Sequence, residues 1–315
     1  MRILITGGFG FVGGRVAQYC SQAGHQITIG SRELSDSPDW LPQAKVVKTI
    51  WDDAPALEAI CNDIDIVIQA AGMNAQDCVT NEVRALEFNG LSTARLVAAA
   101  TKAGVRRFIY LSTAHVYASP LVGSITEKNC PLNLHPYATS HLAGENSVLH
   151  ASQAGKIEGI VIRLSNSFGA PVHKDVNCWM LLVNDLCRQA MTKNCMVLRS
   201  SGSQKRDFIA LSEVCRVIEH LLSVSVGKLG DGMFNVGGMW SPSIMEMAKL
   251  IAERVYLAAG VKVDLQFSKI STNENPGMLD YKVTKLLNSG FEANNKNAVN
   301  EEIDNLLRFC SQEIV

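Results

Sequence analysis

The chain has 315 residues, with 29 basic against 30 acidic side chains, 47% hydrophobic and 19% charged residues. That length suits one large or two modest domains and needs no covalent staples to fold. A net charge of −1 excludes a basic field for nucleic acid, and the low charged fraction excludes disorder. No stretch approaches the roughly 18 uninterrupted apolar residues that would span a bilayer. Met1-Arg2 runs straight into Ile3-Leu4-Ile5, with no apolar run of signal length. The nine cysteines are odd in number and scattered, with no Cys-x-x-Cys pair, which fits free thiols in a reducing cytosol. Histidines 25, 135, 150, 173 and 220 show no metal-ligand spacing, so no metal site is expected. A soluble cytoplasmic protein that makes no contact with membrane or nucleic acid is the expectation.

Short apolar runs at 2–6, 26–30, 45–49, 65–70, 106–111 and 159–163 alternate with helix-like stretches at 11–23, 83–103 and 137–154. The runs lack strict period-two alternation, which predicts parallel strands buried on both faces. The fold class is therefore α/β, a doubly wound parallel sheet with its ligand at the carboxyl ends of the strands. The rhythm breaks after Gly169. A helix is predicted over 177–191, a run at 196–199, a strand at 208–211, a helix over 212–223 and a strand at 233–236. Beyond these come a helix at 243–258, a run at 262–267 and a terminal helix near 297–310. The predicted layout is a dinucleotide domain over 1–169, completed by about 206–236, with a smaller discontinuous lobe from 170–205 and 237–315.

Gly7, Gly10 and Gly13 are spaced G-x-x-G-x-x-G directly after the first strand and open the first helix. Glycine permits the tight turn and a close backbone approach to a pyrophosphate, while the helix N-terminus supplies N–H donors. A strand–turn–helix that simply needs glycine is the alternative; the position in the βαβ rhythm favours dinucleotide binding. At the end of strand two, where an acid would hold a ribose 2′-hydroxyl, the chain reads Gly30-Ser31-Arg32. Arg32 can pair with a 2′-phosphate and Ser31 can hydrogen-bond it, which favours NADP(H) over NAD(H). Glu33 stands close by, and an ordinary solvated loop arginine is the competing reading.

These residues resemble the extended short-chain dehydrogenase/reductase family, the nucleotide-sugar epimerases, dehydratases and reductases. The resemblance runs through Thr6-Gly7-Gly8-x-Gly10-x-x-Gly13, Ala70-Ala71-Gly72, Asn89-Gly90-x-x-Thr93 and Tyr110-Leu111-Ser112-Thr113-Ala114-His115-Val116-Tyr117. It continues through Pro136-Tyr137, Gly144-Glu145, Arg163-x-x-Asn166-x-Phe168-Gly169, Gly202, Arg206-Asp207-Phe208-Ile209, Asn235-Val236-Gly237, Asp280 and Gly290-Phe291. It implies a Rossmann-type sheet with a smaller C-terminal substrate lobe. It also implies cofactor contacts from Gly7, Gly10, Phe11, Val12, Gly13, Ser31, Arg32, Asp52, Ala70, Ala71, Gly72, Asn89, Leu111, Tyr137, His141 and Leu164. Substrate contacts are implied for Thr113, His115, Asn166 and Arg206.

The family's chemistry rests on a Ser or Thr, a Tyr, and a Lys four residues after the Tyr. Thr113 matches the hydroxyl that bonds the reacting oxygen, and Tyr137 the general acid/base. The lysine position holds His141, on the same helix face as Tyr137. In the family that lysine bonds the nicotinamide ribose, and its charge lowers the tyrosine pKa from a reference of about 10. Two readings stand: His141, as an imidazolium beside the cofactor, plays a weaker lysine, or the protein binds its ligands and barely turns over. Intact Thr113 and Tyr137 favour activity.

The family's 4,6-dehydratases carry Asp-Glu after the active-site threonine; Ala114-His115 stands here, which argues against dehydration. His115 is either a substrate contact or a loop histidine without a role. Asn166 and Arg206 match residues that hold the substrate's diphosphate, although Arg206 could instead pair with Asp207. The second arginine of many relatives is missing from residues 273–279, and Ile50-Trp51 replaces an acid that contacts adenine, with Asp52 or Asp53 as possible substitutes. Family members commonly dimerise through the helices carrying Asn89 and Tyr137, and small residues at Ala98, Ala99, Ala100, Ala138 and Ala143 suit such packing or an internal core. The expectation is a homodimeric keto-sugar reductase acting on a nucleotide sugar. A nucleotide-sugar 4-epimerase is one alternative, and a catalytically weak dinucleotide-binding regulatory protein is the other.

Overall fold

A computed structural model describes residues 1–267 and 277–312. Seven strands form one sheet: β1 (Arg2–Thr6), β2 (Gln26–Ser31), β3 (Lys45–Lys48), β4 (Ile66–Gln69), β5 (Arg107–Thr113), β6 (Glu158–Leu164) and β7 (Met233–Val236). Their order is β7-β6-β5-β4-β1-β2-β3, and every neighbouring pair is parallel. All four residues of β4 are buried, as are the last four of β1, because helices cover both faces. On one side Ile3, Ile5, Ile29, Ile68 and Ile162 pack with α1 (Phe11–Gln22) and, later in the chain, the Leu211–Ser223 helix. On the other side Leu4, Val67, Phe108 and Val161 pack with α2 (Ala54–Cys61), α3 (Ser92–Lys102) and α4 (Pro136–Gln153).

A second core lies beyond β6. It joins α5 (Leu182–Lys193), α6 (Leu211–Ser223) through the adjoining strand Phe208–Ala210, α7 (Ile244–Ala259) and α8 (Asn295–Gln312). The strands Cys195–Leu198 and Asp264–Phe267 pair in parallel at its edge. Glu302 on α8 ties the two cores together: it accepts from the Arg15 guanidinium of α1 at 2.7 Å and from the backbone of Ala170 and Ser212.

The elements depart from the sequence reading in two informative places. The predicted helix 83–103 is three pieces, a turn at Glu82–Ala85, a π-helical turn at Leu86–Leu91, and α3. Gly90 sits in that π turn against α4, where a Cβ would approach the Ala143 methyl to 3.1 Å; such bulges tend to fall at functional sites. The helix predicted from residue 177 starts at Leu182, because Cys178–Leu181 closes a turn through the Leu181 N–H and Cys178 carbonyl at 3.2 Å. Among the described residues no helix is long and apolar enough to cross a membrane, and no cysteine is held in a disulfide.

Candidate active site

One cleft of about 1050 Å³ opens along the carboxyl ends of β1, β2, β4, β5 and β6. Its glycine-rich end is built by close backbone contact. Gly7 has φ +69°, and a Cβ there would sit 2.6 Å from the Ala71 nitrogen; at Gly13 it would sit 2.3 Å from the Gly7 carbonyl. Gly10 caps α1 without a side-chain hydrogen bond, and no acid occupies the first turn. The N–H groups of Phe11, Val12 and Gly13 thus open onto the cleft wall beside Ala70, Ala71 and Gly72. A backbone cradle with no side chain in it and a helix N-terminus behind it fits a pyrophosphate, and so fits a dinucleotide.

Ser31 and Arg32 line the cleft where β2 ends. Among the described residues no carboxylate or other partner engages the Arg32 guanidinium, although Glu33 follows it. Asp52 is exposed and off the cleft wall, and Asp53 caps α2 by accepting from Ala56 N–H at 3.0 Å. A cap of this kind is worth about 1 kcal/mol, which explains why that carboxylate turns away. Thr49 and Trp51 line the wall instead. Thr49 Oγ1 and Trp51 Nε1 are both buried without a hydrogen-bond partner, so two unsatisfied polar atoms stand where an adenine-binding acid was sought. The Trp51 ring meets Phe88 edge to face.

At the carboxyl end of β5, Thr113, Tyr137 and His141 converge on the cleft. Tyr137 and His141 lie one turn apart on α4, with ring centroids 4.6 Å apart. Loss of solvent raises the Tyr137 phenol above its ordinary value, and a hydrogen bond with Thr113 opposes this in part. His141 is buried, and desolvation lowers its pKa to about 4. Burial thus favours a neutral ring over the imidazolium reading. Its Nδ1 lies 2.9 Å from the Tyr110 hydroxyl. Asn89 stands behind the wall rather than in it: its Oδ1 accepts from Met73 N–H at 2.8 Å and its Nδ2 donates to Ser140 Oγ. It thereby fixes the 70–74 ledge.

Leu111 and Leu164 close the floor, and His115, Asn166 and Arg206 form the remaining wall. Arg206 makes no pair with Asp207. It donates to Gln204 Oε1 at 2.9 and 3.1 Å, a neutral partner, while the Asp207 carboxylate accepts from Gly238 N–H. Burial lowers the Arg206 pKa, so a desolvated cation faces the cleft with no anionic partner among the described residues. Burial and then the Arg206 charge lower the His115 pKa, leaving that ring neutral. Below the floor, Ser112 Oγ donates to Glu145 Oε1 at 2.5 Å, and Glu145 pairs with Arg163 at 2.6 Å. The Arg163 guanidinium in turn lies over the Tyr117 ring. This buried network braces β5 and β6 under the reactive groups. The stretch at 273–276, sought for a second arginine, lies outside the described residues.

Residues that the sequence did not single out also line the cleft: Phe9, Met73, Asn74 and Ser165 among them. Phe9 and Met73 lie next to glycines of the two turns, which was the available signal.

The family model described as the NAD dependent epimerase/dehydratase family matches residues 3–237. The mouse dTDP-D-glucose 4,6-dehydratase is 27% identical over 269 residues, covering 81% of this chain and 73% of its own. A putative UDP-glucose 4-epimerase of Methanocaldococcus jannaschii is 24% identical over 258 residues, covering 80% and 82%. Among solved structures, the UDP-glucose 4-epimerase of Thermotoga maritima with UDP-glucose superposes with a TM-score of 0.82 at 19% identity, covering all of both chains. RMD of Pseudomonas aeruginosa complexed with NADPH gives 0.78 at 20%, covering 99% of each. With the glycine turn, the strand order and three quarters of its length accounted for, the chain belongs to the NAD dependent epimerase/dehydratase family.

Proposed function

We propose that the protein is an NADP(H)-preferring oxidoreductase that reduces a keto carbon of a nucleotide-activated sugar. The observation that carries this reading is one cleft that brings Thr113, Tyr137 and His141 together at one end and the Arg32 guanidinium to the other. A protonated phenol next to a threonine hydroxyl is a proton donor, as carbonyl reduction requires. When bound, NADPH supplies the hydride. Thr113 hydrogen-bonds the reacting oxygen, Tyr137 protonates it, and His141 faces the nicotinamide ribose. Arg206 and Asn166 hold the diphosphate, whose charge meets a guanidinium that has no anionic partner among the described residues, and neutral His115 contacts the sugar. Thr49 and Trp51 take the adenine end in place of Asp52.

Arg32 tests the cofactor. Arg32→Ala removes a charge-assisted contact that only a 2′-phosphate can make, so NADPH affinity falls about 10- to 150-fold. NADH affinity stays near its starting value. Titrating both cofactors against wild type and variant measures this, and equal losses would overturn the NADP assignment.

The 4-epimerase reading is supported by the epimerase/dehydratase family itself and by the Methanocaldococcus jannaschii relative. The purified protein separates the two: tightly retained NAD favours the epimerase, and an empty protein that binds NADPH favours the reductase.

We also assign a homodimer to the helices around Asn89 and Tyr137. Ala99, Ala100 and Ala138 are spent on the internal core, so the contact falls to Val83 and Leu86, which are 71% and 54% exposed on the Asn89 segment. Burying each such side chain is worth about 1.5–3 kcal/mol. The pair of substitutions Val83→Glu and Leu86→Glu should therefore give a monomer by light scattering, with the thermal transition of the single fold retained. A wild type that is itself monomeric would overturn the assignment.

A further inference from the structure

Tyr110 lies on β5, fully buried, and points away from the cleft into the layer between β5 and α4. Its hydroxyl reaches His141 through a gap left by Gly144, where a Cβ would come within 2.6 Å of the Tyr110 oxygen. We infer that Tyr110 is a positioning residue that fixes His141 as the tautomer with its proton on Nε2, so that one N–H donor is presented to the cleft beside Gly72. The inference concerns how His141 meets the cofactor ribose, and to that extent it rests on the function proposed above.

The argument is one of proton counting. The Tyr110 hydroxyl has one proton and three groups in reach: His141 Nδ1 at 2.9 Å, the Asn89 carbonyl at 3.4 Å and the Thr93 hydroxyl. The Asn89 carbonyl already accepts from Thr93 Oγ1 at 2.7 Å. Nδ1 is the nearer acceptor by 0.5 Å and lies at an ordinary hydrogen-bond length, whereas 3.4 Å is long, so the proton goes to Nδ1. A neutral imidazole that accepts at Nδ1 carries its own hydrogen on Nε2. That edge of the ring lies on the Gly72 side, with Cε1 and Nε2 at 3.7 and 3.9 Å from the position a Gly72 Cβ would take. Gly72 and His141 both line the cleft. The histidine thus offers a directed donor to a ribose hydroxyl without a charge, and the direction is set from behind by Tyr110.

Long-range nitrogen–proton correlation spectra of the protein labelled with ¹⁵N-histidine, without added ligand, test this. The His141 signals are assigned by their loss in His141→Gln. In wild type the expected pattern is a protonated Nε2 and an unprotonated, hydrogen-bonded Nδ1; a protonated Nδ1 would overturn the inference on its own, whatever becomes of any variant. Tyr110→Phe should move the Nδ1 signal toward that of a free imidazole. It should raise the cofactor KM about 2- to 12-fold, as one neutral hydrogen bond allows, with a smaller change in kcat. Unchanged His141 signals in Tyr110→Phe would also overturn it. Failure of wild type to bind either NADPH or NADH would instead remove the proposed function and leave the tautomer result standing.

Discussion

Tyr137→Phe is expected to lower turnover by about 10²- to 10⁴-fold, the usual contribution of a positioned general acid. The ring that packs edge to face on His141 remains, so the local fold has little reason to change. The hydroxyl that is lost sits in a desolvated setting and bonds Thr113, whose own oxygen still accepts from His115 N–H at 3.1 Å. Cofactor affinity, which depends mainly on the glycine turn and Arg32, should change far less than turnover. Single-turnover reduction with a competent keto sugar, beside a fluorescence titration with NADPH, reads both quantities. Full turnover in the variant would assign the proton to another donor, and His115 and Thr113 are the groups in the same wall that would then need testing.

Much of this site was legible because its positions obey short-range rules. The glycine spacing marks the turn, since only glycine tolerates φ +69° at residue 7 and the 2.3 Å approach at residue 13. Unalternating apolar runs marked the strands, since a parallel sheet covered on both sides buries consecutive residues. Tyr137 and His141 could be placed on one helix face by counting. What the sequence could not give was the charge state of the groups it located. His141 is neutral because of its burial, and its Nδ1 is engaged by a strand residue 31 positions away through the gap at Gly144. Arg206 was open to pairing with its neighbour Asp207, but successive residues of an extended segment face opposite ways. The carboxylate turned inward to Gly238 and the guanidinium stayed at the cleft. Asp53 looked available for adenine until the start of α2 claimed it as a cap. The break in the helix carrying Asn89 arises from packing against α4 rather than from propensity, so periodicity read it as continuous.

His141→Lys should convert the site toward the charge arrangement of its lysine-bearing relatives, and its effect is set by Coulomb's law. Unit charges about 5 Å apart at an effective dielectric of about 20 interact by about 3 kcal/mol, equivalent to about 2 pKa units. Burial lowers the lysine's own pKa and weakens this, so the Tyr137 phenol should drop by about one to two units. Oxidation of an alcohol needs Tyr137 as a base. Its rate climbs with pH toward the phenol pKa, which in wild type lies above the ordinary value. Below both midpoints the lysine variant should therefore oxidise about 10- to 100-fold faster at equal pH. Reduction needs the protonated phenol, so reductive turnover of the variant should fall away at a pH about one to two units lower than in wild type. His141→Ala separates charge from contact. A neutral ring contributes no charge, so its removal should leave the Tyr137 midpoint nearly in place while raising the cofactor KM, because one ribose donor is gone. The pH profiles of wild type and the two variants in both directions, with one competent substrate, decide the matter. A phenol midpoint that ignores the lysine would mean that the ammonium turns out of the cleft. Three superimposable profiles with equal KM would leave Thr113 and Tyr137 to organise the chemistry alone.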